Sequence, residues 1–116
     1  MSKGISPQIE EKIKKYQNLQ QQIAGLQQQI QQLKIEQLEI DKALKEIEEM
    51  PDDEVCYRSI GKLMVKSTIK ETKEKLNGQK EFAEARVSIS EKSAEKLKKQ
   101  FDELEETLRK ALDSSQ

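Results

Sequence analysis

The chain has 116 residues, of which 37% are charged, 34% hydrophobic and 3% aromatic, with no Trp and no His. Such a composition belongs with long helices and coiled coils, and it excludes a compact core of ordinary size because the large aromatic side chains are nearly absent. Twenty-one basic and 22 acidic side chains nearly cancel to a net charge of -1, so no basic stripe suggests nucleic acid as a partner.

Catalytic chemistry finds few footholds. Without His there is no imidazole base, no Ser-His or Cys-His pair and no His metal ligand. The carboxylates sit beside lysines in runs that read as solvated helix faces. Cys56 is the single cysteine, which rules out an intrachain disulfide and fits a reducing cytoplasm; it reads as a small apolar strand residue. No apolar run reaches the ~20 residues of a membrane span. The opening "MSKGISPQIEEK" lacks the apolar segment of a secretory signal.

In chain order, Ser6 and Pro7 mark the start of a first helix, as cap and first helical residue. From Tyr16 the apolar positions follow a heptad beat: Tyr16, Leu19, Ile23, Leu26, Ile30, Leu33, Gln37, Ile40, Leu44, Ile47. Gln37 is its polar member. Ile5, Ile9 and Ile13 are spaced by four and fall out of phase, which means either a shift of the coil or a frayed end. The run "LQQQIAGLQQQIQQL" reads as helix, since Gln forms helices well and apolar residues punctuate it correctly. Gly25 weakens it locally. Pro51 ends the helix, because the residue before proline avoids helical geometry. "PDDE" then reads as a turn.

The stretch "CYRSIGKLMVKS" departs from its surroundings. It reads as a β-hairpin over residues 54–66, with strands around Val55–Ser59 and Leu63–Lys66 and Gly61 in the turn. A three-residue connection would place Val55, Tyr57, Leu63 and Val65 on one face, with Cys56, Arg58, Met64 and Lys66 on the other. Thr68 to Glu71 fits a capping box that opens a second helix over 68–112. Its beat is unbroken: Ile69, Lys73, Leu76, Lys80, Ala83, Val87, Ser90, Ala94, Leu97, Phe101, Leu104, Leu108, Ala111. Asn77-Gly78 would ordinarily be a turn, but the phase runs through it, so the spacing predicts continuous helix.

Two helices of about 40 residues, each roughly 60 Å long, joined by a short connection, predict an antiparallel helical hairpin that buries stripe against stripe. The fold class is therefore mostly α: a coiled-coil hairpin over 6–50 and 68–112 with one β-hairpin at the bend, in a single domain spanning 1–116. An isolated two-stranded hairpin is marginal in water, and its edges invite further strands. Slender helices whose stripes face each other cannot cover it. Sister hairpins from other chains would, by forming a closed β-barrel platform. Val55, Tyr57, Ile60, Leu63, Met64 and Val65 are the expected platform residues. Ile35 and Leu38, off the main seam, are candidates for a neighbour's contact.

The segment "EEMPDDEVCYRSIGKLMVKSTIKETKEKL", residues 48–76, resembles the β-class subunits of prefoldin, and in its archaeal form. The likeness lies in the helix end, the Pro-Asp-Asp turn, the Val-x-Tyr-Arg-Ser-Ile-Gly strand and turn, the Leu-Met-Val-Lys return strand and the second helix. One hairpin rather than two in tandem separates the β class from the α class. The resemblance implies a hexamer of two α-class and four β-class subunits with six helical arms. It implies that the arms capture unfolded proteins and deliver them to a group II chaperonin, without ATP, cofactor, metal or catalytic residues. Cys56, the Gln-rich first coil and Asn77-Gly78 depart from the family pattern.

A chaperone that uses no ATP must hold clients through adaptable apolar contact. The arm tips provide Ile5, Ile9 and Ile13 from one helix and Phe101, Leu104, Leu108 and Leu112 from the other. Phe101 and Leu104 read first as closing the coil, whereas Ile5, Ile9, Leu108 and Leu112 read as client contacts. Two other classes of function stand beside this one: a structural coiled-coil scaffold in which the hairpin is a spacer, and a regulator that offers one helix to a partner's groove; within the family itself, a filament-forming prefoldin-like subunit is the variant.

Overall fold

A computed structural model describes residues 5–114. The chain forms α1 (Pro7–Ile47), β1 (Val55–Ile60), β2 (Leu63–Thr68) and α2 (Ile69–Ser114), with the two strands paired antiparallel between two long helices. It divides into two compact units: Gln32–Ser88, and the residues before and after it.

The unit spanning Gln32–Ser88 holds the hairpin and the adjoining part of each helix. Leu33, Gln37, Ile40, Leu44 and Ile47 of α1 are buried or half-buried, as are Ile69, Lys73, Leu76, Lys80, Ala83 and Val87 of α2. These are the seam positions the spacing predicts. Ile69 is the most enclosed side chain, 2% exposed. The two seam lysines have evident partners. Lys80 bonds Asp41 at 2.8 Å across the helices, and that hydrogen bond, reinforced by Coulombic attraction, raises its pKa. The Lys73 ammonium donates to the main-chain carbonyls of Glu48 (3.3 Å) and Met50 (3.5 Å) and lies 3.5 Å from Asp52. It thus satisfies acceptors that the end of a helix leaves open.

α1 stops at Ile47, three residues short of the expected end. Proline at 51 has no N–H to continue the ladder. The Met50 N–H donates to the Ile47 carbonyl at 3.1 Å in a tightened turn instead. The start of α2 is capped from the same corner. The N–H groups of Ile69 and Lys70 donate to the carbonyls of Glu54 (2.9 Å) and Asp52 (3.0 Å). The Glu71 N–H donates to the Thr68 hydroxyl at 3.2 Å. The expected capping box is half made: the Glu71 carboxylate accepts from the Ser67 hydroxyl at 3.2 Å.

The hairpin turn differs from expectation. The register pairs Ile60 with Leu63 and Val55 with Thr68, which leaves a two-residue connection, Gly61-Lys62. Gly61 has φ +58°, and among the described residues no other takes a positive φ. Glycine at the first loop position suits the type II′ turn, whose twist matches that of the flanking strands. One residue fewer in the turn flips one strand relative to the other. Val55, Tyr57 and Ser59 therefore share a face with Thr68, Lys66 and Met64, while Cys56, Arg58 and Ile60 share the other with Ser67, Val65 and Leu63.

The other unit pairs the first part of α1 with the last part of α2. Ile9, Ile13, Tyr16, Leu19, Ile23, Leu26 and Ile30 are buried or half-buried, as are Ser90, Ala94, Leu97, Phe101, Leu104, Leu108 and Ala111. Between the two readings of the early isoleucines, the structure shows a shift. The helix is regular from Pro7, and the Ser6 hydroxyl caps it by accepting from the Ile9 N–H at 3.2 Å. Two successive steps of three, Ile13 to Tyr16 to Leu19, mark where the phase of the buried stripe changes.

Gly25 and Gly78 both lie inside helix, and a methyl group at either would meet nothing within 4 Å. Each should therefore be replaceable by alanine with a gain of about 1 kcal/mol. Urea unfolding of Gly25→Ala and Gly78→Ala, followed by helical circular dichroism, should show a raised midpoint for each.

Candidate functional sites: a tip groove and an uncovered hairpin

Two regions combine exposure with apolar character. The first lies in the unit formed by the early part of α1 and the late part of α2. There Tyr16 and Phe101 stack with ring centroids 4.5 Å apart and planes at 21°. The Tyr16 hydroxyl donates to Glu105 at 3.0 Å. That bond, together with desolvation and the carboxylate's charge, raises the phenol's pKa above 10.0, because ionisation would set a second anion beside Glu105.

Next to this pair an open groove of about 510 Å³ runs between Ile13, Tyr16, Gln17 and Gln20 on one side and Glu105, Leu108, Arg109, Leu112 and Asp113 on the other. Its lining is mostly apolar, with polar groups at the rim, and Arg109 pairs with Glu106 one turn earlier. Of the seven tip residues expected from sequence, Ile13, Leu108 and Leu112 line this groove. Leu108 forms its floor and is only 7% exposed. Leu104 lines a smaller, more polar groove with Lys15, Leu19 and Glu103. Phe101 is occupied by the stack. Ile9 is half-buried and Ile5, ahead of the helix, is exposed; neither lines the groove. The rim residues Gln17, Gln20, Arg109 and Asp113 escaped the sequence reading, since charged and amide side chains there look like any solvated helix face.

The second region is the hairpin. Val55, Tyr57, Ile60, Leu63, Met64 and Val65 are all exposed, between 37% and 68%. They occupy both faces of the ribbon. Towards the helices the chain covers part of the ribbon: Ser67 is buried, Arg58 is half-buried, and the Cys56 thiol lies 3.2 Å from the Thr72 hydroxyl. Ile35 and Leu38 are exposed on α1, as are Phe82 and Ile89 on α2, the latter two unforeseen. Phe82 carries the Arg86 guanidinium at 5.8 Å from its ring centre, a contact that partly shields it. Among the described residues no acidic or cysteine cluster has the makings of a metal site, and no helix is long and apolar enough to cross a membrane.

The profile of the prefoldin subunit family matches residues 10–115. A prefoldin subunit beta of Methanosarcina acetivorans is 34% identical over 112 residues, covering 97% of this chain and 96% of the relative. That of Thermococcus kodakarensis is 36% identical over 113 residues, covering 94% and 93%. The crystal structure of the prefoldin beta subunit from Thermococcus strain KS-1 superposes with a TM-score of 0.84 at 34% identity, covering 96% of this chain and 97% of that one.

The Tyr16 bond makes a prediction with a definite sign. A group whose pKa is raised by folding adds stability that is complete below its unfolded pKa and is lost as pH climbs through the folded one. Tyr16→Phe keeps the stack and removes the donor. Between about pH 9 and about pH 11 the unaltered chain should lose more thermal stability than Tyr16→Phe, since the Tyr16 phenol is the one titrating group by which the two chains differ. Parallel melting curves check this.

Proposed function

From the premise that this chain belongs to the prefoldin family, in its β class, we propose that it is a subunit of an ATP-independent holdase. In this reading it assembles in the cytoplasm with α-class subunits and further β-class copies into a hetero-hexamer. The complex captures unfolded proteins at its helical tips and passes them to a group II chaperonin. The observation that carries the proposal is the uncovered hairpin. Six apolar side chains stand in water on a two-stranded sheet that could not hold itself together unaided. Sister hairpins that complete a β-barrel platform would bury those side chains and pair the open edges.

The tip groove supports the second half of the proposal. An open, mostly apolar groove suits extended or nascent-helical segments of many sequences. It needs no directional bond, and gains about 25 cal/mol for each Å² of apolar surface covered. Ile13 and Leu112 are the side chains at its walls that a client would meet, above Leu108. Ile5, Ile9, Phe101 and Leu104 would come into play where a client reaches past the groove.

Two variants separate platform from tip. Met64 is 67% exposed, so Met64→Asp leaves the solitary chain's packing alone. It should nevertheless release monomers in sedimentation, because each buried side chain of this size is worth about 2 kcal/mol, or roughly thirtyfold in affinity. The double variant Ile13→Ser with Leu112→Ser should keep the assembled mass and lose most suppression of light scattering by a denatured reporter enzyme diluted from guanidinium. An oligomer unaffected by Met64→Asp would refute the platform, and undiminished suppression would refute the tip.

A further inference from the structure

The dipeptide Asn77-Gly78 has no part in the platform or the tip groove. Both residues are exposed inside α2. Glycine weakens a helix interior more than any residue except proline, and asparagine is among the weaker helix formers. Nothing in the packing requires the glycine. Its φ is not positive, and an added β-carbon would meet nothing within 4 Å. What glycine does supply is an unshielded main-chain nitrogen directly after a carboxamide.

This turn of α2 has little apolar anchorage. Leu76 is the one apolar seam residue between Ile69 and Ala83, and the seam positions on either side of it are Lys73 and Lys80. Those lysines are held through their ammonium groups: Lys80 by Asp41 at 2.8 Å, Lys73 by Asp52 and the Glu48 and Met50 carbonyls. Segments with few buried apolar contacts are the ones that open locally while the rest of a fold stays intact. In the closed helix the Gly78 N–H is committed to the carbonyl of Glu74, four residues back, and its nitrogen cannot turn towards the Asn77 side chain.

We propose that Asn77-Gly78 is a site of self-modification by deamidation, kept latent by α2 and released when this turn opens. In the open turn the Gly78 nitrogen gives up its proton and attacks Cγ of Asn77. A ring C–N bond forms, the carboxamide C–N bond breaks, and the NH2 group leaves as ammonia with that proton. Water then opens the five-membered imide at either carbonyl. One route yields aspartate; the other yields isoaspartate, in which the backbone runs through the side chain. Each product adds a carboxylate to the cleft that Asn77 shares with Asp41, Glu48, Lys73 and Lys80, where it competes with Asp41 for Lys80. Isoaspartate also inserts one atom into the main chain and throws the following residues out of the hydrogen-bond ladder. Opening of the helix is thereby recorded irreversibly, in the unit that carries the hairpin.

The full chain contains its own control, because Asn18, its other asparagine, is also exposed in helix but precedes Leu19. The chain is held at mildly alkaline pH, folded and in urea, and peptide mass spectrometry with isoaspartyl methylation follows both sites over weeks. Asn77 should convert in the folded chain at least about tenfold more slowly than in urea, the factor by which closure protects it. Asn18 should stay intact. Asp41→Asn leaves α2 unaltered and frees Lys80; it should speed the folded reaction about two- to fivefold and leave the rate in urea unchanged. Gly78→Ala should slow the reaction in both conditions. The isoaspartate fraction, isolated by ion exchange, should melt below Asn77→Asp, which carries the charge without the inserted atom. No conversion of Asn77 in the folded chain, while the chain in urea reacts, overturns the proposal. Equal rates folded and in urea, or no response to Asp41→Asn, overturn the gating by α2. Equal melting of the isoaspartate fraction and Asn77→Asp overturns the broken ladder.

Discussion

The corner between α1 and the hairpin rests on one exchange of hydrogen bonds. A helix end exposes carbonyls, a helix start exposes N–H groups, and here each end is answered by the other's flank. Lys73, one turn into α2, reaches back to the Glu48 and Met50 carbonyls. The carbonyls of Asp52 and Glu54, just past α1, accept from the first two N–H groups of α2. Ile69 is enclosed at that same point. Any change in the length of the loop would break both sets at once. The strands inherit their placement from this corner, because β2 runs straight into α2, with Thr68 as both last strand residue and helix cap.

From that anchoring follows the distribution of exposed apolar surface. The helices bury one stripe each and have little left for the ribbon. The strand ends near the corner are tied down through Ser67 and Cys56. The six apolar side chains of the ribbon stay exposed on both faces. A solitary chain is thus complete in its helices and incomplete in its sheet, which is what a subunit of a larger body should look like.

Much of this was legible from the residues. The heptad beat named the seam positions that the structure buries, and it carried α2 through Asn77-Gly78 without a break. The six apolar hairpin residues followed from type and from the lack of anything to cover them. Four things were not legible. The turn length depends on whether two or three residues leave the strands around Gly61, and the apolar spacing pointed to the longer connection where the structure has the shorter. Asking only for apolar faces misled the face assignment, because both faces are apolar. The roles of Lys73 and Lys80 looked like flaws in the seam, since their partners lie more than 20 residues away in Asp52, Glu48, Met50 and Asp41. The groove's rim was hidden because Gln17, Arg109 and Asp113 gain meaning only when α1 and α2 are set side by side.

The stripe construction carries an evolutionary consequence. Each seven-residue period repeats the same small set of contacts, with no central knot of large side chains for the rest to fit around. Lineages could therefore lengthen or shorten the two rods together, one period at a time, and keep every remaining neighbour in place. Reach would then be an inherited dimension free to drift, while the geometry of the bend stays fixed.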